Sequence, residues 1–188
     1  MSDTAGRPAR RELSTLLVID VQERLLPHIE DRDNVVKHCG RIVQAAGILG
    51  VPVVCTEQYP KGLGRTVSPL RELLGDVPIR EKLAFSCCGA EGLTDDLWAR
   101  GRPQIVVVGI EAHVCVQQTV LDLLGAGFGV FVAADAVSSR RALDRWAALD
   151  RMRQAGAVVT TTEAVMFEWL RVAGTAEFKQ VAALVKEL

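Results

Sequence analysis

The chain has 188 residues, enough to bury the core of one domain. It is 49% apolar with a formal net charge of -1, which excludes an intrinsically disordered chain and the basic excess of a nucleic-acid binder. No apolar run reaches the length of a membrane span, so neither nucleic acid nor membrane is an expected partner.

The first twelve residues carry three arginines and no apolar stretch, so they read as a disordered tail and not a secretory leader. The remainder, 13–188, is expected to be one domain. There are five cysteines, Cys39, Cys55, Cys87, Cys88 and Cys115, in no disulfide or zinc-ligand spacing. Reduced thiols and a cytoplasmic location are therefore expected.

Residues 16–20 (Leu-Leu-Val-Ile-Asp) form a short apolar run of the buried parallel type. Asp33 can cap a helix with apolar positions Val35, Val36, Cys39, Ile42, Val43, Ala46 and Leu49, ended by Gly50. Residues 51–55 predict a second strand, with Pro52 at its start. Residues 56–66 are polar and rich in Gly and Pro, and predict a long functional loop. Ser68-Pro69 opens a short helix through Leu74. Residues 77–85 are ambiguous: a short strand, then an irregular loop.

Residues 93–100 predict a helix ended by Gly101, and 104–109 a strongly apolar central strand. A helix over 115–124 follows, then a strand over 130–134 and a helix over 141–154. The run Gly125-Ala-Gly-Phe-Gly129 follows a helix and reads as a C-cap turn, not a dinucleotide fingerprint. A last strand at 157–160, a helix from Thr162 to Leu170 and a helix from Thr175 complete the chain. This alternation implies an α/β fold: a single-domain, doubly wound, Rossmann-like three-layer α/β/α arrangement with a mostly parallel six-stranded sheet.

Three strand ends carry candidate chemistry. Asp20 closes the first strand, Lys82 lies in the loop 80–86, and Cys115 follows the central strand. In a doubly wound sheet such ends meet in one crevice. A thiol at the first turn of a helix is expected to favour the thiolate. Asp20 would accept the thiol proton, Lys82 would hold the charges, and backbone N–H groups near Cys115 would bind an oxyanion. Each residue has a structural alternative: Asp20 as a turn residue, Lys82 as a surface charge, Cys115 as core. A haloacid-type phosphatase would need a second Asp where Gln22 stands.

Three segments together resemble the isochorismatase-like cysteine hydrolases, which include nicotinamidases and other small amidases. They are Leu-Leu-Val-Ile-Asp20-Val-Gln22, Lys82-Leu-Ala-Phe-Ser86, and Val-Val-Gly109-Ile-Glu-Ala-His-Val-Cys115-Val. The likeness continues through Asp135-Ala-Val-Ser-Ser-Arg140 and Thr160-Thr-Thr-Glu-Ala-Val165 and so covers nearly the whole chain. The stretch 56–64 (Thr-Glu-Gln-Tyr-Pro-Lys-Gly-Leu-Gly), with His113, is most similar to the isochorismatase-domain-containing subgroup.

The resemblance implies an Asp20–Lys82–Cys115 triad and a non-proline cis bond at Ile110–Glu111. It implies an oxyanion site made by the N–H groups of Glu111 and Cys115, and a homo-oligomer. Nicotinamidases carry an Asp-x-His metal motif after the second strand; here Glu57-Gln-Tyr-Pro60 stands there, so no metal and no other cofactor is expected. The implied function is a metal-independent hydrolase that cleaves a small amide or acyl C–N bond through a thioester. Gln22, Tyr59, Phe85 and His113 are candidate pocket residues, with packing and local hydrogen bonding as their alternative. The aromatic and Met-bearing stretch 166–170 is an interface candidate or a helix packed on the sheet. Two other functions stay open: a peroxide-reactive thiol protein using Cys115, and a non-catalytic oligomeric binding protein.

Overall fold

A computed structural model describes residues 7–186. β1 (Ser14–Ile19) is buried along its whole length. Its side chains alternate: Leu16 and Val18 join one apolar cluster, Leu17 and Ile19 another. Such two-sided burial is what a continuous apolar run, unlike an alternating one, specifies.

The other strands are β2 (Val53–Gln58), β3 (Ile79–Lys82), β4 (Gln104–Ile110), β5 (Gly129–Ser138) and β6 (Val158–Thr160). They lie in the order β3-β2-β1-β4-β5-β6, and every pairing is parallel. This is the doubly wound order, whose switch point lies between β1 and β4. The expected "mostly parallel" sheet is thus parallel throughout the described residues. One face is covered by α1 (Arg32–Leu49), α3 (Ser68–Leu74), α7 (Thr162–Leu170) and α8 (Ala176–Val185). The other is covered by α4 (Leu93–Ala99), α5 (Gln117–Gly125) and α6 (Ala142–Gln154), while the short α2 (Pro60–Leu63) sits in the connection after β2.

Several boundaries differ from the sequence expectation. β2 begins after Pro52 and runs on to Gln58, so Thr56, Glu57 and Gln58 are strand and not loop. β5 continues to Ser138 because its register with β4 jumps between Val107↔Val132 and Gly109↔Val137, a bulge over 133–136. Arg145 of α6 donates to the carbonyls of Val137 (2.9 Å) and Ala134 and so satisfies backbone that the bulge frees. Asp135, in the bulge, accepts from Thr162 N (2.8 Å) and Oγ1 (2.8 Å) at the start of α7.

Residues 7–12 depart from the expected tail. Residues 1–6 lie outside the described residues, but Ala9 is buried and its N–H donates to Glu168 Oε2 at 2.7 Å. Arg10 N–H donates to Gln104 Oε1 at 2.8 Å. Disorder through residue 12 is therefore corrected: partners distant in sequence, invisible to a local reading, hold this segment. In α7, Met166, Trp169 and Leu170 are buried, and Trp169 Nε1 donates to Ser14 Oγ at 3.0 Å. That helix packs on the sheet, and Phe167 alone of its large apolar residues is exposed.

Candidate active site

Asp20 follows β1 with φ 52°, a left-handed conformation that Asp tolerates better than most residues, and it is fully buried. The turn is made possible next door. Gly109 of β4 has φ 120°, and a Cβ there would lie 2.0 Å from the Ile19 carbonyl oxygen. Only glycine lets β4 approach β1 so closely at the residue before Asp20.

Lys82 is the last residue of β3. Its Nζ lies 2.6 Å from Asp20 Oδ2, with both side chains fully buried. It donates also to Gln58 Oε1 (2.7 Å) and to the carbonyls of Phe85 (3.0 Å) and Ala84 (3.3 Å). Burial alone would lower the ammonium's pKa. The negative charge of Asp20 and its hydrogen bond outweigh burial and raise it.

Cys115 lies in one wide π-helical turn, Ala112–Val116, that precedes α5. The Ile110–Glu111 bond before it is cis. The Asp20 carboxylate acts on this thiol at close range. Burial first, and then Asp20, push its pKa well above the ordinary thiol value; Lys82 opposes this and does not overcome it. The expected helix-stabilised thiolate is thus corrected. Desolvation and a nearby carboxylate outweigh a helix terminus, so the surroundings favour the thiol over the thiolate.

Four further residues at this spot escaped the sequence reading. Thr56 Oγ1 donates to Asp20 Oδ1 at 2.7 Å, and Gln58 accepts from Lys82. Both belong to the end of β2, two residues apart on one face; the period-two signal was lost when the strand was ended at Cys55. Cys87 Sγ sits 3.5 Å from Thr56 Oγ1, its pKa pushed up to about 12 by burial and then by Asp20. Thr119 accepts from Cys87 N–H (2.8 Å) and donates to the Cys115 carbonyl (2.6 Å). Glu57, between Thr56 and Gln58, is fully buried and accepts from Thr66 N (2.7 Å), Thr66 Oγ1 (2.9 Å) and Arg65 (3.2 Å).

The candidate pocket residues separate. Gln22 is fully buried: Nε2 donates to the carbonyls of Gln58 (3.0 Å) and Gly64 (2.7 Å), and Oε1 accepts from Gln58 N–H (2.7 Å). It is a strut between the β1 end and the 58–64 segment, and not a pocket wall. Tyr59 is half exposed and, with Pro60, Lys61, Glu81, Lys82 and Leu83, lines a cavity of about 330 Å³ beside β3. Neither Asp20 nor Cys115 lines that cavity. Phe85 is exposed and meets Lys82 through its carbonyl. His113 Nδ1 is 2.9 Å from Ser139 Oγ. The Glu111 side chain turns to Arg140, accepting from its N–H (3.2 Å) and Nε (3.0 Å). Among the described residues no group of three or more His, Cys, Asp or Glu side chains is arranged to hold a metal ion, and no helix is long and apolar enough to cross a membrane.

Comparison with known proteins places this geometry. Isochorismatase domain-containing protein 1 of Danio rerio is 39% identical over 173 residues, covering 92% of this chain and 61% of that protein. The chain thus spans less than two thirds of that relative's length. A solved structure described as the MAR1 ribonuclease of Caenorhabditis elegans is 41% identical, with a TM-score of 0.90 over 95% of this chain and 92% of the other. The YcaC gene product of Escherichia coli, described as an octameric hydrolase of unknown specificity, is 25% identical, with a TM-score of 0.88 over 95% of this chain and 90% of the other. A sequence model of the isochorismatase domain matches residues 14–164, from β1 into α7, so this chain belongs to the isochorismatase family.

Proposed function

We propose that this isochorismatase-family hydrolase is a metal-independent cysteine hydrolase that cleaves a small amide or related acyl C–N bond through a Cys115 thioester. The observation that carries the reading is Asp20, one buried carboxylate that accepts from Lys82 at 2.6 Å and whose charge acts on the Cys115 thiol. A neutral resting thiol needs a base in contact with it, and Asp20 is that base. Asp20 takes the proton as sulfur bonds to the carbonyl carbon, and Lys82 keeps the carboxylate in place. The N–H groups of Glu111 and Cys115 receive the oxyanion. The proton on Asp20 passes to the leaving nitrogen as the C–N bond breaks. Water, giving its proton to Asp20, then attacks the thioester, and the proton returns to sulfur as the S–C bond breaks.

The polar groups at the end of β2 support the metal-free reading. Gln58 is held on Lys82, and Glu57 on Thr66 and Arg65. A peroxide-reactive role has less support, since burial and Asp20 hold Cys115 protonated. A homo-oligomer belongs to the same reading, supported by the octameric state given for the E. coli neighbour. So does a cytoplasmic location, supported by five free cysteines.

Purified protein incubated with a panel of small amides is expected to release ammonia, and Cys115→Ala to release none. A panel without release, on which wild type and Cys115→Ala are indistinguishable, overturns the hydrolase reading. RNA is the other arm, since one neighbour is described as a ribonuclease. Cleavage of RNA that Cys115→Ala abolishes, without amide hydrolysis, moves the substrate class to a phosphodiester. Light scattering that gives a monomer removes the oligomer.

A further inference from the structure

We infer that Thr56 is a positioning residue for proton transfer between Cys115 and Asp20. The Thr56 hydroxyl has one hydrogen and two neighbours, Asp20 Oδ1 at 2.7 Å and Cys87 Sγ at 3.5 Å. A carboxylate oxygen is much the stronger acceptor, so the hydrogen goes to Asp20. Cys87, held as a neutral thiol, then donates its own hydrogen to the Thr56 oxygen. The chain Cys87→Thr56→Asp20 has one direction, and each link polarises the next.

The arrangement divides the lone pairs of Asp20. Lys82 occupies Oδ2 from β3, Thr56 occupies Oδ1 from β2, and the Cys115 thiol of the π-helical turn feels the carboxylate's charge. The charged and titratable groups that face the carboxylate are therefore Lys82, Cys115 and, through Thr56, Cys87. With both oxygens held, the carboxylate has a fixed rotation. The Thr56 hydrogen bond also favours the ionised carboxylate, the form that can receive the thiol proton. Thr56 is fully buried, so water does not replace the hydroxyl when it is removed.

This rests on reading Asp20 as the proton acceptor of Cys115, and it is tested without any substrate. The rate of Cys115 alkylation by iodoacetamide, followed by mass spectrometry of its peptide, is measured against pH. Thr56→Val keeps the shape and removes the donor. The acid limb of its profile is expected to move up by about one pH unit. Thr56→Ser is expected to restore the wild-type limb, which a merely structural role would not require. In an Asp20→Asn background, Thr56→Val is expected to move nothing.

An acid limb of Thr56→Val that coincides with wild type, in protein of unchanged circular dichroism, overturns the proposal. So does a Thr56→Ser profile that follows Thr56→Val. If Thr56→Val does not fold, Thr56→Ala takes its place. The S–H infrared band of Cys115, isolated by subtracting Cys115→Ala, is a second readout. It is expected at lower frequency in Thr56→Val and at the wild-type frequency in Thr56→Ser, because an Asp20 relieved of one donor accepts more strongly from the thiol. An unmoved band counts against the proposal even where alkylation is slow. Failure of the amide panel leaves both readouts intact, so the hydrolase reading and this one fail separately.

Discussion

Asp20 and Lys82 form an ion pair with no exposed side-chain surface, and such a pair is held by the groups around it as much as by its own attraction. Lys82 has Gln58 and two carbonyls besides Asp20, and Asp20 has Thr56. Removing one partner strands the other charge. Lys82→Met is expected to lower the unfolding free energy by about 3–5 kcal/mol in urea titrations. The double variant Lys82→Met with Asp20→Asn is expected to recover part of it, and strictly additive losses would show the two not to be coupled. Asp20 and Cys115 were legible because each follows an apolar strand run, whereas Lys82 ends a polar strand, Ile-Arg-Glu-Lys, inside an ambiguous segment. The protonation state of Cys115 was not legible, since it depends on a carboxylate 95 residues away in the chain and on burial.

β4 and the turn after it do most to place the nucleophile. The strand runs buried to Ile110, crosses β1 at Gly109 without room for a methyl group, and opens into the π-helical turn that carries Cys115. Gly109→Ala puts a Cβ against the Ile19 carbonyl at a backbone angle that favours glycine. It is expected to cost more than about 3 kcal/mol in urea unfolding, and a cost under about 1 kcal/mol would show that the strands slide apart freely. The apolar face of α1, with Val35, Cys39, Ile42, Val43, Ala46 and Leu49 buried, was readable from its period. The ends of β2 and β5 were not. Polar side chains hid the strand character of 56–58, and the β5 bulge is paid out in carbonyl partners supplied by Arg145 from the next helix.

Across the whole molecule, burial acts on the thiols in one direction. Cys39, Cys55, Cys87 and Cys115 all have pKa values raised from 9.0, with Cys55 and Cys87 at about 12, and in each burial is the leading cause. Lys82 is raised as well, from 10.5. A group with a raised pKa in the folded state keeps its proton after the unfolded chain has released it. Its stabilisation is complete below the unfolded value and is lost as pH rises towards the folded one. Stability is therefore expected to be flat near neutrality and to fall from about pH 9, at up to about 1.4 kcal/mol per pH unit for each buried thiol. Urea midpoints across pH 7 to 11 check this, and Cys55→Ala is expected to flatten the fall; a midpoint that rises with pH would contradict it.

The sequence by itself determined the layer order, the parallel sheet and the three strand ends where chemistry collects, because apolar runs and helical periods are local properties of the chain. Only the tertiary structure decided which groups surround Asp20. Thr56, Gln58, Cys87 and Thr119 reach the site from other elements, and what each does there follows from distance and exclusion of water, which no local pattern encodes.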